Sequence, residues 1–155
     1  MNPGKLYIRR ACFIEATPAQ VWREFADFAH IHAWLGLGHT LHAFDPQLGG
    51  ITDFSVDIGG VDEHFGGPVT EVVAGELITF EVTWANPEMA TPAPMYWSYV
   101  VTSALLTSAL QGTSVEFYQY GFDAFGTVSG DELLSYENAW QPNHLTALRD
   151  IVLAR

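Results

Sequence analysis

Apolar and polar residues alternate through Leu6 to Ile14, with Ile8, Cys12 and Ile14 on one face at period two, which predicts a first strand. Arg10 shares their parity, so it sits at the sheet margin or projects into the interior. A helix start follows. Thr17 can cap, Pro18 fits the first helical position, and Gln20 completes a Thr-x-x-Gln capping box. Val21, Trp22 and Phe25 then form an apolar stripe at helical spacing. A second short helix or turn is predicted over Phe28 to Leu35, ended by Gly36 and Gly38.

The middle of the chain reads as successive strands. Thr40–Phe44 precedes turn signals at Asp45-Pro46 and Gly49-Gly50. Thr52, Phe54, Val56 and Ile58 alternate with Asp53, Ser55 and Asp57, and Gly59-Gly60 marks the next turn. Pro68–Val73 and Leu77–Trp84 flank Ala74-Gly75-Glu76, a hairpin signal, with Ile78, Phe80, Val82 and Trp84 sharing a face. The proline-rich stretch from Ala85 to Pro94 predicts a loop. Tyr96–Leu106 and Thr113–Phe122 are the last two strands, joined through Gln111-Gly112.

Ser129 and Glu132 offer a Ser-x-x-Glu capping box for a closing helix that runs to Leu153, with a kink at Pro142. Trp140, His144, Leu148 and Ile151 fall near one face of it. Short turns between successive strands favour antiparallel pairing, so the class is α+β, in one domain spanning residues 1–155.

Composition narrows the function. Of 155 residues, 48% are hydrophobic and 15% charged, which argues for a packed core, and the 14% aromatic content fills that core or lines a cavity. The formal net charge is −12, and no Lys or Arg occurs between Glu24 and Leu148. Phosphate neutralisation needs clustered cations, so nucleic acid and anionic membrane surfaces are excluded as partners. No apolar run is long enough for a signal peptide or a membrane span, so the expected location is the cytoplasm, with no membrane insertion. The single Cys12 has no internal disulfide partner and reads as a buried small hydrophobe.

The ordered set of elements resembles the START-like (SRPBCC) superfamily, in the group named after the activator of the heat-shock-protein ATPase. The matching residues are Glu15-Ala16-Thr17-Pro18 running into Val21-Trp22, then Trp34, then Gly49-Gly50 before a strand. Pro68-Val69-Thr70-Glu71-Val72 leads on to Leu77-Ile78-Thr79-Phe80, and Gly112-Thr113 opens a strand ending at Gly121-Phe122, with Trp140 in the last helix. The resemblance implies a helix-grip fold: a curved antiparallel sheet wrapped around a long C-terminal helix, with two short helices after the first strand. It also implies an internal cavity. Members of the superfamily include lipid carriers, polyketide cyclases and hormone receptors, so function must be argued from the site.

On that architecture Phe54, Phe80, Trp84, Phe117 and Trp140 are expected to supply apolar walls, with Trp34 and the loop around Met89 and Met95 near a mouth. Alternatively these rings simply fill the core. Gln119 shares the parity of Val115 and Phe117 and so points inward. Its amide either bonds Asn138, Asn143 or backbone, or orients a ligand's polar end. His144 lies one turn beyond Trp140, where it is a candidate general acid–base or a helix-face histidine bonded to water or a carbonyl. Glu137 is either a further cavity polar group or a solvated side chain. His30 and His32 point about 200° apart on a helix, and His39 and His42 differ in parity, so all four read as surface histidines and no metal is expected.

The ligand-binding set is therefore Trp34, Phe54, Phe80, Trp84, Phe117, Gln119, Trp140 and His144, and the partner is a small, uncharged aromatic or polycyclic molecule. A second reading is a cyclase, dehydratase or hydrolase acting on a polyketide-like substrate, with His144, Gln119 and Arg10 as the catalytic candidates. A third is activation of a heat-shock-protein ATPase, but that activator carries a separate N-terminal domain for which 155 residues leave no room. No cofactor is expected, and a homodimer is compatible with the sequence.

Overall fold

The computed structural model describes residues 1–36, 38–105 and 111–155. Strand β1 (Ile8–Ile14) is followed by helices α1 (Pro18–Trp22) and α2 (Phe28–His32), with a 3-10 turn between them. Then come β2 (Thr40–Phe44), β3 (Ile51–Ile58), β4 (Val61–Val73), β5 (Leu77–Trp84), β6 (Met95–Leu105) and β7 (Gln111–Tyr120). Leu106, expected to end β6, lies outside the described residues. The seven strands form one antiparallel sheet in the order β1-β7-β6-β5-β4-β3-β2. The chain thus crosses from one sheet edge to the other through α1 and α2, and otherwise advances by hairpins. This is the α+β helix-grip architecture expected from the sequence. No helix among the described residues is long and apolar enough to cross a membrane.

Local chemistry explains the elements that position the interior. The Thr17 hydroxyl accepts from the Gln20 N–H (3.2 Å) and the Gln20 side chain accepts from the Thr17 N–H (2.8 Å), closing the expected capping box. Along β5 and β6 the inward residues Ile78, Phe80, Val82 and Met95, Trp97, Tyr99, Val101 are all buried. Register irregularities at Leu41/Ala43 and Val69/Glu71 mark bulges, which bend strands and increase their twist. These curl the sheet around its concave face.

Two expectations need correction. The strand predicted over Pro68–Val73 is 13 residues long and starts at Val61. Gly66 and Gly67 belong to it because the neighbouring backbone is close: a Cβ on Gly66, at φ +145°, would collide with the Thr52 carbonyl. The kinked C-terminal helix is two helices, α3 (Gly130–Ala139) and α4 (Leu145–Ala154). Pro142 has no N–H to continue the ladder, and the chain restarts when the Asn143 side chain accepts from the Leu145 N–H (3.0 Å). Of the second capping box only half forms, with Ser129 accepting from the Glu132 N–H (3.1 Å).

Candidate functional site

The two C-terminal helices cover the sheet unequally. Helix α4 buries Leu145, Leu148 and Val152, whereas no residue within α3 is fully buried. Under α3 the fold leaves a cavity of about 330 Å³. Its floor comes from residues of five neighbouring strands, β3 to β7: Val56, Phe65, Val82, Trp84, Met95, Trp97 and Gln119. Its roof is Ser135, Tyr136, Ala139 and Trp140, and Gly38 with His39 closes one side. Exposed Gly38, Ile58, Ser135 and Ala139 form the mouth, between the β3–β4 hairpin and α3. Among the described residues, no Lys, Arg, Asp or Glu lines it. A roomier depression of about 660 Å³ lies elsewhere, around Val73–Leu77 and Val100–Ser103. It is an open surface hollow with none of the aromatic or buried amide groups of the interior, so the cavity is the candidate site.

Of the eight expected ligand contacts, Trp84, Gln119 and Trp140 line the cavity. Phe54, Phe80 and Phe117 are completely buried in the layer around it: Phe54 stacks on Phe65 at 5.2 Å and Phe117 packs on Trp140 at 4.4 Å between ring centroids. Trp34 is not at a mouth. It is buried, its indole N–H donates to the Glu24 carbonyl (3.1 Å), and its ring packs against Phe25 and Tyr99. Met95 lines the floor, while Met89 is away from the cavity. Glu24, also unforeseen as a core residue, is fully buried and held by two guanidinium nitrogens of Arg155, Nε and Nη2.

The polar candidates do not converge. Gln119 bonds neither Asn138 nor Asn143; its carbonyl oxygen accepts from the Trp140 indole N–H (2.8 Å), and its amide nitrogen donates to the Met95 sulfur (3.4 Å). His144 is buried rather than at a wet helix face, with Nε2 hydrogen-bonded to the Tyr99 hydroxyl (3.1 Å). Burial, with smaller contributions from the charges of His39 and Arg10, pushes its pKa down to about 3, so the imidazole is neutral. Arg10 is committed to structure: it donates to the Glu137 carbonyl (3.0 Å) and pairs with the Glu137 carboxylate (3.0 Å), closing the C-terminal end of α3. Glu137 accordingly belongs to that clamp and does not line the cavity.

His39 was expected at the surface, and the structure corrects this. It precedes β2 and packs edge-on against Phe54 (5.2 Å) and Phe65 (5.9 Å), with Trp97 at 5.8 Å. Its Nε2 is buried without a hydrogen-bond partner among the described residues. Desolvation lowers its pKa to about 4, partly offset by the Leu35 backbone. His39 also borders an outer hollow formed with His32, Trp34, Thr40 and Ala147, so it stands between cavity and surface. No local pattern places it there, because a loop residue has no parity to read. Trp97, by contrast, was readable: it shares the period-two face of Met95, Tyr99 and Val101.

His42 meets the Ser55 hydroxyl (2.7 Å), His64 meets Asp53 (2.9 Å), and the two rings stack at 5.1 Å. Among the described residues no group of three or more His, Cys, Asp or Glu side chains is arranged to hold a metal ion.

Comparison with known proteins agrees with this fold. A family model described as "Activator of Hsp90 ATPase homolog 1-like protein" matches residues 15–152. Among solved structures, a Chromobacterium violaceum protein is similar with a TM-score of 0.66 and 24% identity, covering 94% of this chain and 96% of that one. A putative protein in the dynemicin biosynthetic locus gives 0.65 and 16%, covering 95% of this chain and 47% of that one. The Aha1 dimer from Colwellia psychrerythraea gives 0.62 and 15%, covering 96% of both. At these identities the likeness is one of fold. No curated protein matches the sequence significantly.

Proposed function

Since the chain belongs to the Activator of Hsp90 ATPase homolog 1-like family, whose helix-grip fold encloses an interior, we propose that it binds a small, uncharged, largely apolar molecule in the cavity under α3. The observation that carries this is the lining: about 330 Å³ walled mostly by aromatic and aliphatic side chains, with one amide, one neutral imidazole, the hydroxyl-bearing Ser135 and Tyr136 and, among the described residues, no ionic group. An ion would lose its hydration there without gaining a partner, whereas an aromatic compound exchanges water for ring contacts. The volume lies at the lower end of the range for small-molecule sites, about 300–1,000 Å³, which favours two or three fused rings. The reading includes a cytoplasmic location and is compatible with a homodimer, the state of the Colwellia relative.

Quenching of tryptophan fluorescence by neutral polycyclic compounds tests the reading, because Trp84, Trp97 and Trp140 all line the cavity. Saturable quenching, lost when Ala139→Trp fills the roof, is the expected result. Identical quenching in the filled variant would place the ligand elsewhere and sink the proposal.

One observation favours catalysis on a polyketide-like substrate: His39 is neutral, lines the cavity and has a free Nε2. A pKa of about 4 makes it a weak base at neutral pH, and Arg10 and His144 are engaged with other partners, so binding is the reading we prefer. Turnover that survives in wild type and vanishes in His39→Gln would reverse this preference.

A further inference from the structure

The cavity is apolar but not without direction. Trp97 and Gln119 are directly opposed across the β6–β7 ladder, so their side chains emerge together on the concave face. The orientation of the Gln119 amide follows from chemistry: an indole N–H can only donate, so the Trp140 bond requires the Gln119 oxygen. The amide nitrogen is thereby turned away from Trp140, and among the described residues it donates only to the Met95 thioether, a weak acceptor. On the directly paired strand position, the Trp97 indole N–H is buried and has no acceptor among the described residues. Two underused donors thus lie on adjacent strands of the cavity floor. The imidazole of His39, 5.8 Å from the Trp97 ring, is held neutral and so brings no positive charge to them.

We propose that this cavity selects ligands carrying a neutral carbonyl oxygen, which seats between the Trp97 indole N–H and the Gln119 amide N–H. The inference rests on the binding reading above and specifies its ligand class as aromatic ketones and related carbonyl compounds. A carbonyl oxygen has two lone pairs and accepts both bonds at once. A carboxylate could accept them too, but it would be buried without a cation. The rings around Trp97 close its N–H off from water, so the oxygen seats by displacing ring edges rather than an existing hydrogen-bond partner. The Trp97 donor gives up no bond when the oxygen arrives, while the ketone gives up its hydration, so the gain is that of one ordinary net hydrogen bond.

The test compares 9-fluorenone with fluorene, which share a three-ring shape and differ by the carbonyl. Wild-type protein is expected to bind the ketone roughly fivefold more tightly, the ratio that one ordinary net hydrogen bond gives. The infrared carbonyl stretch of bound fluorenone should lie below its value in an alkane. Trp97→Phe keeps an aromatic ring and removes the donor, and should narrow the affinity ratio and return part of the stretch shift. Equal or weaker binding of the ketone, or an unshifted stretch in wild type, overturns the carbonyl subsite while leaving the apolar cavity standing. If neither probe binds, the binding reading falls and the subsite with it. The wild-type measurements do not depend on the variant folding.

Discussion

The same sheet carries a hollow region under α3 and a solid one under α4. Below α4, Phe25, Trp34, Tyr99 and His144 belong to one core with Leu145 and Leu148, all with almost no exposed surface. Below α3 the floor is equally aromatic, but between the rings of Tyr136 and Trp140 the roof presents only Ser135 and Ala139, which have no bulk to fill the space. The cavity therefore comes from what the helix withholds, not from any shortage of large side chains in the sheet. The helix sequences differ accordingly: Leu-Thr-Ala-Leu-Arg-Asp-Ile-Val-Leu-Ala packs, while Gly-Asp-Glu-Leu-Leu-Ser-Tyr-Glu-Asn-Ala only covers.

The sharpest way to break this comparison is to truncate one ring in each region. Phe25→Ala empties a filled site and is expected to cost about 3–5 kcal/mol in urea denaturation. Trp84→Ala, at a half-buried ring beside an existing void, should cost about 1–2 kcal/mol, since less packing is lost. Equal costs would mean that the two halves are packed alike.

Acid distinguishes the regions next, on the order of a few kcal/mol, because each carries a buried neutral histidine. Both imidazoles have folded pKa values depressed below about 6.5, their unfolded value, so the unfolded chain binds more protons as the pH falls. Their contribution to stability is intact above pH 6.5 and is lost on acidification, down to about pH 4 for His39 and about pH 3 for His144. Stability measured from pH 7 to 3 should flatten over the upper part of that window in His39→Gln. In His144→Gln it should flatten over the whole of it. Identical profiles for the two variants would erase the distinction.

The smallest effect on stability is expected from Ala139→Trp. Its site is exposed at the mouth, so urea denaturation should change by less than about 1 kcal/mol while affinity for a polycyclic ligand drops at least tenfold. A large loss of stability would show that the roof is tighter than its burial implies.

Much of the fold was legible because its signals are local. The alternation in Ile78-Thr79-Phe80-Glu81-Val82-Thr83-Trp84 and the Thr17–Gln20 box each need only a few neighbouring residues to act. The first half of β4 was not legible, because Gly66-Gly67-Pro68 carries turn chemistry locally and is extended only through pairing with β3 and β5. The site was half legible for a related reason. Parity on β7 aimed Gln119 inward, but its bond to Trp140 spans two elements 21 residues apart. His39 depends on how a loop folds across the sheet, and Trp34 on a carbonyl presented by the turn before it.

The interruption at Pro142 also has a mechanical meaning. A continuous C-terminal helix would be a single stiff rod, and any tilt of its front end would be levered onto Leu148 and the aromatic cluster behind it. Two short rods meeting at a corner carry no such torque. The Arg10 clamp fixes the position of that corner, and Ser129 fixes the far end of α3. The width of the mouth is thus set by a strut whose load is not borne by the helix that anchors the fold.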